Sequence, residues 1–143
     1  HDPRVYPGIA ELLDALEARD DVTLGLLTGN LVEGARTKLS AVGIDPDRFV
    51  VGAFGSDHAH RPELPAIAMQ RYRERFGRDI AGDRLVVIGD TPSDLTCGRG
   101  VGARAIGVAT GRYSVEELRE HDAHAVFADL ADTAAVIAAI VDG

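Results

Sequence analysis

The sequence predicts a three-layer α/β/α sandwich built on a mostly parallel sheet. Short apolar runs such as VTLGLL (22–27) and LVVI (85–88) alternate, about five times over, with longer segments whose apolar residues recur at helical spacing. These runs are apolar throughout rather than alternating with polar residues, the pattern of strands covered on both faces. Proline and glycine punctuate the helical segments at their starts and ends.

Taken in order, Pro7 opens a helix over 8–19 in which Ile9, Leu12, Leu13 and Leu16 share a face. Residues 22–27 form the first strand, 31–42 a helix closed by Gly43, and 49–51 a brief strand. Pro62 opens a helix over 63–76 that Gly77 ends. Residues 85–88 are the most strand-like run in the chain, and a helix over 93–101 follows. A strand over 105–108, a helix over 115–120, a short strand over 125–127 and an amphipathic helix over 131–141 complete the pattern. No linker, repeat or low-complexity segment interrupts residues 1–143, which read as one domain large enough to bury a core without disulfides.

Composition narrows the function classes. Hydrophobic residues make up 45% and charged residues 27%, ordinary for a globular domain. Tryptophan is absent and aromatics are 5%, so the core is aliphatic. The net charge of −8 and the lack of a Lys/Arg stripe with interleaved aromatics argue against nucleic-acid binding. No apolar run approaches the ~18 residues of a membrane span. The one cysteine, Cys97, cannot form an internal disulfide, which suits a reducing compartment such as the cytoplasm.

In sheets of this kind a ligand sits beyond the carboxyl ends of the strands, so the residues following each strand carry the information. After VTLGLL comes Thr28-Gly29-Asn30, which can present a hydroxyl and successive backbone N–H groups to an anion, or can simply cap a helix through Asn30. After LVVI comes GDTPSD, with Asp90 at the strand tip and Asp94 one turn into the next helix, facing back. Two carboxylates in one mouth repel unless a divalent cation joins them, and Mg²⁺ favours one or two carboxylates with waters and a phosphate. The competing reading is that Asp90 or Ser93 caps the helix and Asp94 complements its dipole. Arg61, at the start of another helix, could grip phosphate bidentately or be an ordinary surface arginine.

Three other features carry less. His58 and His60 lie two apart on a loop without a third ligand, a weak metal signal. His121 and His124 read as solvated loop residues. The glycine-rich GRGVGARAIG (98–107) runs from helix to strand, the reverse of a dinucleotide-binding loop.

YPGIAELLDALEARDDVTLGLLTGN, FGSDHAHRPEL and VVIGDTPSDLTCGRGVGARAIGVATG, in that order, resemble the haloacid dehalogenase-like hydrolases over nearly the whole chain, most of all their phosphoglycolate-phosphatase-like branch. The resemblance implies a Rossmann-like core and a Mg²⁺-dependent phosphatase of small phosphomonoesters. It implies that Thr28, with the Gly29 and Asn30 backbone, binds the transferring phosphoryl group and that Arg61, where the family usually has lysine, offsets charge. Asp90 would bind Mg²⁺, and Asp94 would be a second ligand, directly or through water, or would orient Arg61. A C2-halogen substrate suits these residues less well.

The resemblance also exposes a gap. The family's nucleophile lies in a D-x-D motif after its first strand, and no D-x-D follows a strand here; Asp20-Asp21 precedes one. In the family that strand lies between the counterparts of VTLGLL and LVVI, so removing it would leave those two about 9.5 Å apart, twice the normal spacing. The expectation is the C-terminal portion of a hydrolase core, without a cap, whose two flanking strands do not pair directly and whose nucleophile comes from a longer chain or another one. The alternatives are an inactive remnant that binds phosphate, metal or a partner protein, and an unrelated receiver-like or flavodoxin-like module. An open sheet edge would also encourage a homo-oligomer.

Overall fold

A computed structural model describes residues 8–27, 49, 51–53, 63–110 and 112–141. The helix expected over 31–42 lies outside them. Gly8 takes φ 86° at the start of α1 (Ile9–Glu17), and a Cβ there would fall 1.9 Å from the Leu130 carbonyl oxygen, so the position accepts only glycine. α1 buries Leu12 and Leu16 against Val136. Val22 and Leu24 pack against the same cluster, and strand pairing begins only at β1 (Gly25–Leu27), shorter than the expected 22–27. β2 (Val51–Ala53) likewise starts later than the expected residue 49.

α2 (Leu64–Phe76) carries proline in its first turn and ends at Gly77, left-handed at φ 68°, as its sequence expects. β3 (Val86–Gly89) follows a single 3₁₀ turn. The helix expected over 93–101 divides into α3 (Pro92–Thr96) and a 3₁₀ turn over 99–101, because Gly98, Gly100 and Gly102 interrupt it, the last left-handed at φ 76°. Then come β4 (Arg104–Val108), α4 (Val115–Arg119), β5 (Ala125–Phe127) and α5 (Thr133–Val141), each within two residues of expectation. Residues 98–107 do run from helix to strand.

All ladders are parallel, in the orders β1-β2 and β3-β4-β5. Among the described residues β1 and β3 do not pair, as the sequence anticipates. β4 is hydrogen-bonded on both edges and buried from Ala105 to Val108. The layers follow from alternation along β5. Val126 packs with Leu95, Ala105 and Leu118 under α3 and α4, while its neighbour Phe127 packs with Leu12, Leu16 and Val136 under α1 and α5. The expected α/β sandwich is present, with helices on both faces of an open parallel sheet.

Arg104 closes the far end. Its guanidinium donates to the Asp83 carbonyl at 2.9 Å and to the Ala139 and Ile140 carbonyls at 3.3 and 2.6 Å, groups left without partners by the last turn of α5. Arg104→Met keeps the aliphatic stem and removes the donors. It should lower stability by about 1.5–3 kcal/mol, read as a reduced urea midpoint at unchanged slope.

Candidate functional site

Pro92 is the first residue of α3 and holds Thr91 in extended conformation, φ −128° and ψ 157°. Thr91 is thereby the N-cap: its Oγ1 accepts the Asp94 N–H at 3.2 Å. The cap is neither Asp90 nor Ser93, the two residues that the competing reading had offered. Asp94 completes a capping box, and its Oδ2 accepts two backbone N–H groups, those of Asp90 and Thr91, both at 3.1 Å. The side chain faces back toward the strand tip as expected, and Asp94 is only 8% exposed.

Gly89 makes this fold-back possible. A Cβ at that position would sit 2.2 Å from the Asp94 Cβ and 2.4 Å from its Oδ2. The glycine of GDTPSD is therefore the floor on which the Asp94 carboxylate rests. Below it, the Cys97 thiol donates to the Asp94 carbonyl at 3.2 Å.

The direction of each backbone group on β3 is fixed by one bond. The Arg104 N–H donates to the Leu85 carbonyl at 3.0 Å. In a parallel ladder the residues of one strand turn their N–H and C=O alternately to either neighbour. Leu85, Val87 and Gly89 thus serve β4, and Val86, Ile88 and Asp90 face away from it. On that outer edge the Asp90 N–H meets Asp94, while Val86 and Ile88 look into a cleft of about 1150 Å³ lined by β1 and β3 and by apolar side chains of α1, α2 and α5. Asp94 lines one end of it.

The two carboxylates have different duties. Asp94 holds the turn. Asp90 is half-buried at the strand end, and its carboxylate accepts no hydrogen bond among the described residues. No group of three or more His, Cys, Asp or Glu gathers as a ready-made metal cage among the described residues. One available carboxylate beside a second that is partly engaged suits a cation that brings most of its own ligands, as Mg²⁺ does.

Thr28, Gly29, Asn30 and Arg61 lie outside the described residues, as do His58 and His60. Of the predicted site residues the structure brings together Asp90 and Asp94. Sequence reading missed Thr91 and Gly89, although Pro92 signals an extended residue before it. His121 and His124 precede β5 and lie at the opposite end of the parallel sheet from Asp90. Asp21 is held by Arg19 through two 2.9 Å bonds, which keep its carboxyl below the usual range, in the turn before β1.

A family model described as haloacid dehalogenase-like hydrolase matches residues 1–99. Probable phosphatase IndB of Dickeya dadantii (strain 3937) is 32% identical over 117 residues, covering 80% of this chain and 48% of the relative. The chain thus spans about half the length of that curated relative. Among solved structures, a haloacid dehalogenase-like family hydrolase from Streptococcus pneumoniae superposes with a TM-score of 0.79 at 18% identity, covering 94% of this chain and 60% of that one. CbbY from Rhodobacter sphaeroides, solved in complex with phosphate, gives 0.74 at 22% identity, covering 90% and 56%. At these identities the structural matches speak for the fold.

The fold-back of Asp94 is directly testable. Asp94→Ala should cost about 1.5–3 kcal/mol, and the Asp90 and Thr91 amides should lose hydrogen-exchange protection. Gly89→Ala should expose the same two amides, because its methyl group and the Asp94 carboxylate claim the same space.

Proposed function

Because the chain belongs to the haloacid dehalogenase-like hydrolase family, we propose that it forms the core of a Mg²⁺-dependent phosphatase acting on a small phosphomonoester through an aspartyl-phosphate, the nucleophilic aspartate coming from outside these 143 residues. The observation that carries this reading is Asp90, an available carboxylate at the carboxyl end of a parallel strand, positioned through its own backbone by Asp94. The phosphatase name of a relative that is 32% identical supports it.

The residues take these roles in the proposal. Asp90 holds the metal. Asp94 keeps one oxygen on the turn that presents Asp90, so its contribution to the ion runs through the other oxygen, directly or by way of water. Thr28 and the Gly29 and Asn30 N–H groups receive the phosphoryl oxygens. Arg61 offsets the charge that builds between phosphate and nucleophile. When bound, Mg²⁺ neutralises charge on the transferring group. A cytoplasmic location belongs to the same reading and rests on the single thiol, Cys97, which is free and buried. No helix among the described residues is long and apolar enough to cross a membrane.

The test is p-nitrophenyl phosphate hydrolysis by a longer chain in which a strand bearing D-x-D precedes residue 1. Turnover should require Mg²⁺ and fall about 10²–10³-fold in Asp90→Asn. Residues 1–143 alone should give none. Turnover indifferent to Mg²⁺ or to Asp90→Asn would overturn the proposal. An inert longer chain would leave the role of a phosphate- or partner-binding module.

A further inference from the structure

The end of α2 carries a surface that the candidate site does not use. Residues 71–78, RYRERFGR, hold four of the chain's 15 basic residues against one acid, in a molecule of net charge −8. Phe76 is 40% exposed, the highest value of any large apolar side chain among the described residues. Tyr72 stands one turn before it, with ring centroids 4.8 Å apart and planes tilted by 42°. The Arg75 guanidinium lies over the Phe76 ring, 5.8 Å from its centroid. Arg78 reaches back from beyond the Gly77 cap, and its Nε donates to the Tyr72 hydroxyl at 3.2 Å. Two rings and two guanidinium groups are thus held in place before any partner arrives.

The charges on this surface are weakly engaged. Arg73 meets Asp79 at 3.3 Å, but the two side chains are 70% and 77% exposed, so the pair contributes little and exchanges readily. Glu74, the one acid, accepts from Gln70 at 3.2 Å. Among the described residues neither Arg75 nor Arg78 meets a carboxylate. Arginine in a last helical turn complements the helix dipole. That accounts for the charge of Arg73 and Arg75 but not for an exposed phenylalanine kept between them. At about 3.6 residues per turn, Arg73 and Arg75 flank the Tyr72–Phe76 face on either side. Arginines around a stacked aromatic pair are the composition of an interface centre rather than of a solvated helix end. The cleft beside β3 takes in Tyr72 and Arg78, but Arg73, Arg75 and Phe76 are not part of its wall.

From these features we propose that the end of α2 docks a short acidic segment of a partner protein, one with an apolar side chain between its carboxylates. The apolar side chain would lie on the exposed Phe76 ring. A carboxylate on either side of it would pair with Arg73 and Arg75, whose planar guanidinium groups suit bidentate contact. Length and charge favour this occupant over a nucleic acid. Residues 71–78 span only about 11 Å of helix. The net charge of −8 opposes an extended polyanion, whereas a short segment feels chiefly the local basic patch. Docking goes beyond the hydrolase reading and does not depend on it, since it uses no residue of the Asp90–Asp94 turn.

The probe is a short blocked peptide with one leucine between runs of glutamate. Its controls are the same peptide with glutamine for glutamate, and an oligothymidylate. Backbone amide and arginine Nε–H resonances of the 143-residue chain are followed during titration. The acidic peptide should give saturable shifts confined to the end of α2, weakened by salt. Affinity should fall about tenfold or more in Arg75→Gln and in Phe76→Ala, with Arg75→Lys between wild type and Arg75→Gln. Both positions are exposed, so the amides outside α2 should keep their folded dispersion in every variant. The absence of saturable shifts would overturn the proposal, as would affinity unchanged in Arg75→Gln. Equal binding of the glutamine peptide would reduce the contact to apolar adhesion. Tighter binding of the oligothymidylate at the same residues would make the patch a nucleic-acid surface. Shifts at 72–78 that grow with chain concentration alone, together with a dimer in sedimentation, would make a second copy the occupant. Each of these three would likewise overturn it.

Discussion

A parallel strand covered on both faces must be hydrogen-bonded on both edges, since water cannot reach its backbone groups. β4 meets that demand, with β3 on one side, β5 on the other and Ile106 fully buried between them. Other features of the molecule follow from how far this condition extends. Arg104 at the start of β4 reaches across to the end of α5, so the strand that is most completely paired also anchors the covering helix. One strand away the condition fails. Among the described residues β3 is paired to β4 alone; it carries the partly exposed Ile88, borders the cleft, and ends in a tip whose outer amide is met by Asp94.

Asp94 is that acceptor, and it explains the unequal use of the two carboxylates in GDTPSD. Near a strand end and a helix start, N–H groups converge and favour negative charge. Asp94 lies within hydrogen-bond reach of two of them. Asp90 lies just beyond the ladder, its N–H held by Asp94 and its carboxylate accepting no hydrogen bond among the described residues. The distinction arises from backbone geometry alone and would hold whatever ligand the site takes.

How much of this was legible in the sequence depended on how local the cause was. α2 and its Gly77 cap, β3 and β5 are legible because apolar periodicity, proline and glycine act within a few residues. The early end of α3 is legible in hindsight from three glycines in five residues, 98–102, which helical spacing of the apolar positions obscured. The cap was ambiguous because Asp90, Thr91 and Ser93 all have capping side chains; the fixed φ of Pro92 selects the residue immediately before it. β1 is shorter than its apolar run because Val22 and Leu24 serve the α1–α5 cluster, a tertiary demand that local pattern does not carry. Arg104 bonds to carbonyls 35 and 36 residues away, and nothing in its neighbourhood marks it. For Thr28 to Asn30 and for Arg61 the sequence remains the only source.

The split strand order also bears on how the chain folds. β3, β4 and β5 are consecutive in sequence and adjacent in space, as are β1 and β2, so every pairing joins strands that are neighbours in the chain. Such neighbouring closures are entropically inexpensive and fast. Among the described residues no strand pairing joins the two ladders to each other. Among the described residues the two ladders meet through the α1–α5 cluster, which gathers Val22 and Leu24 from before β1 and Phe127 from β5, so cooperativity between them runs through that shared apolar contact.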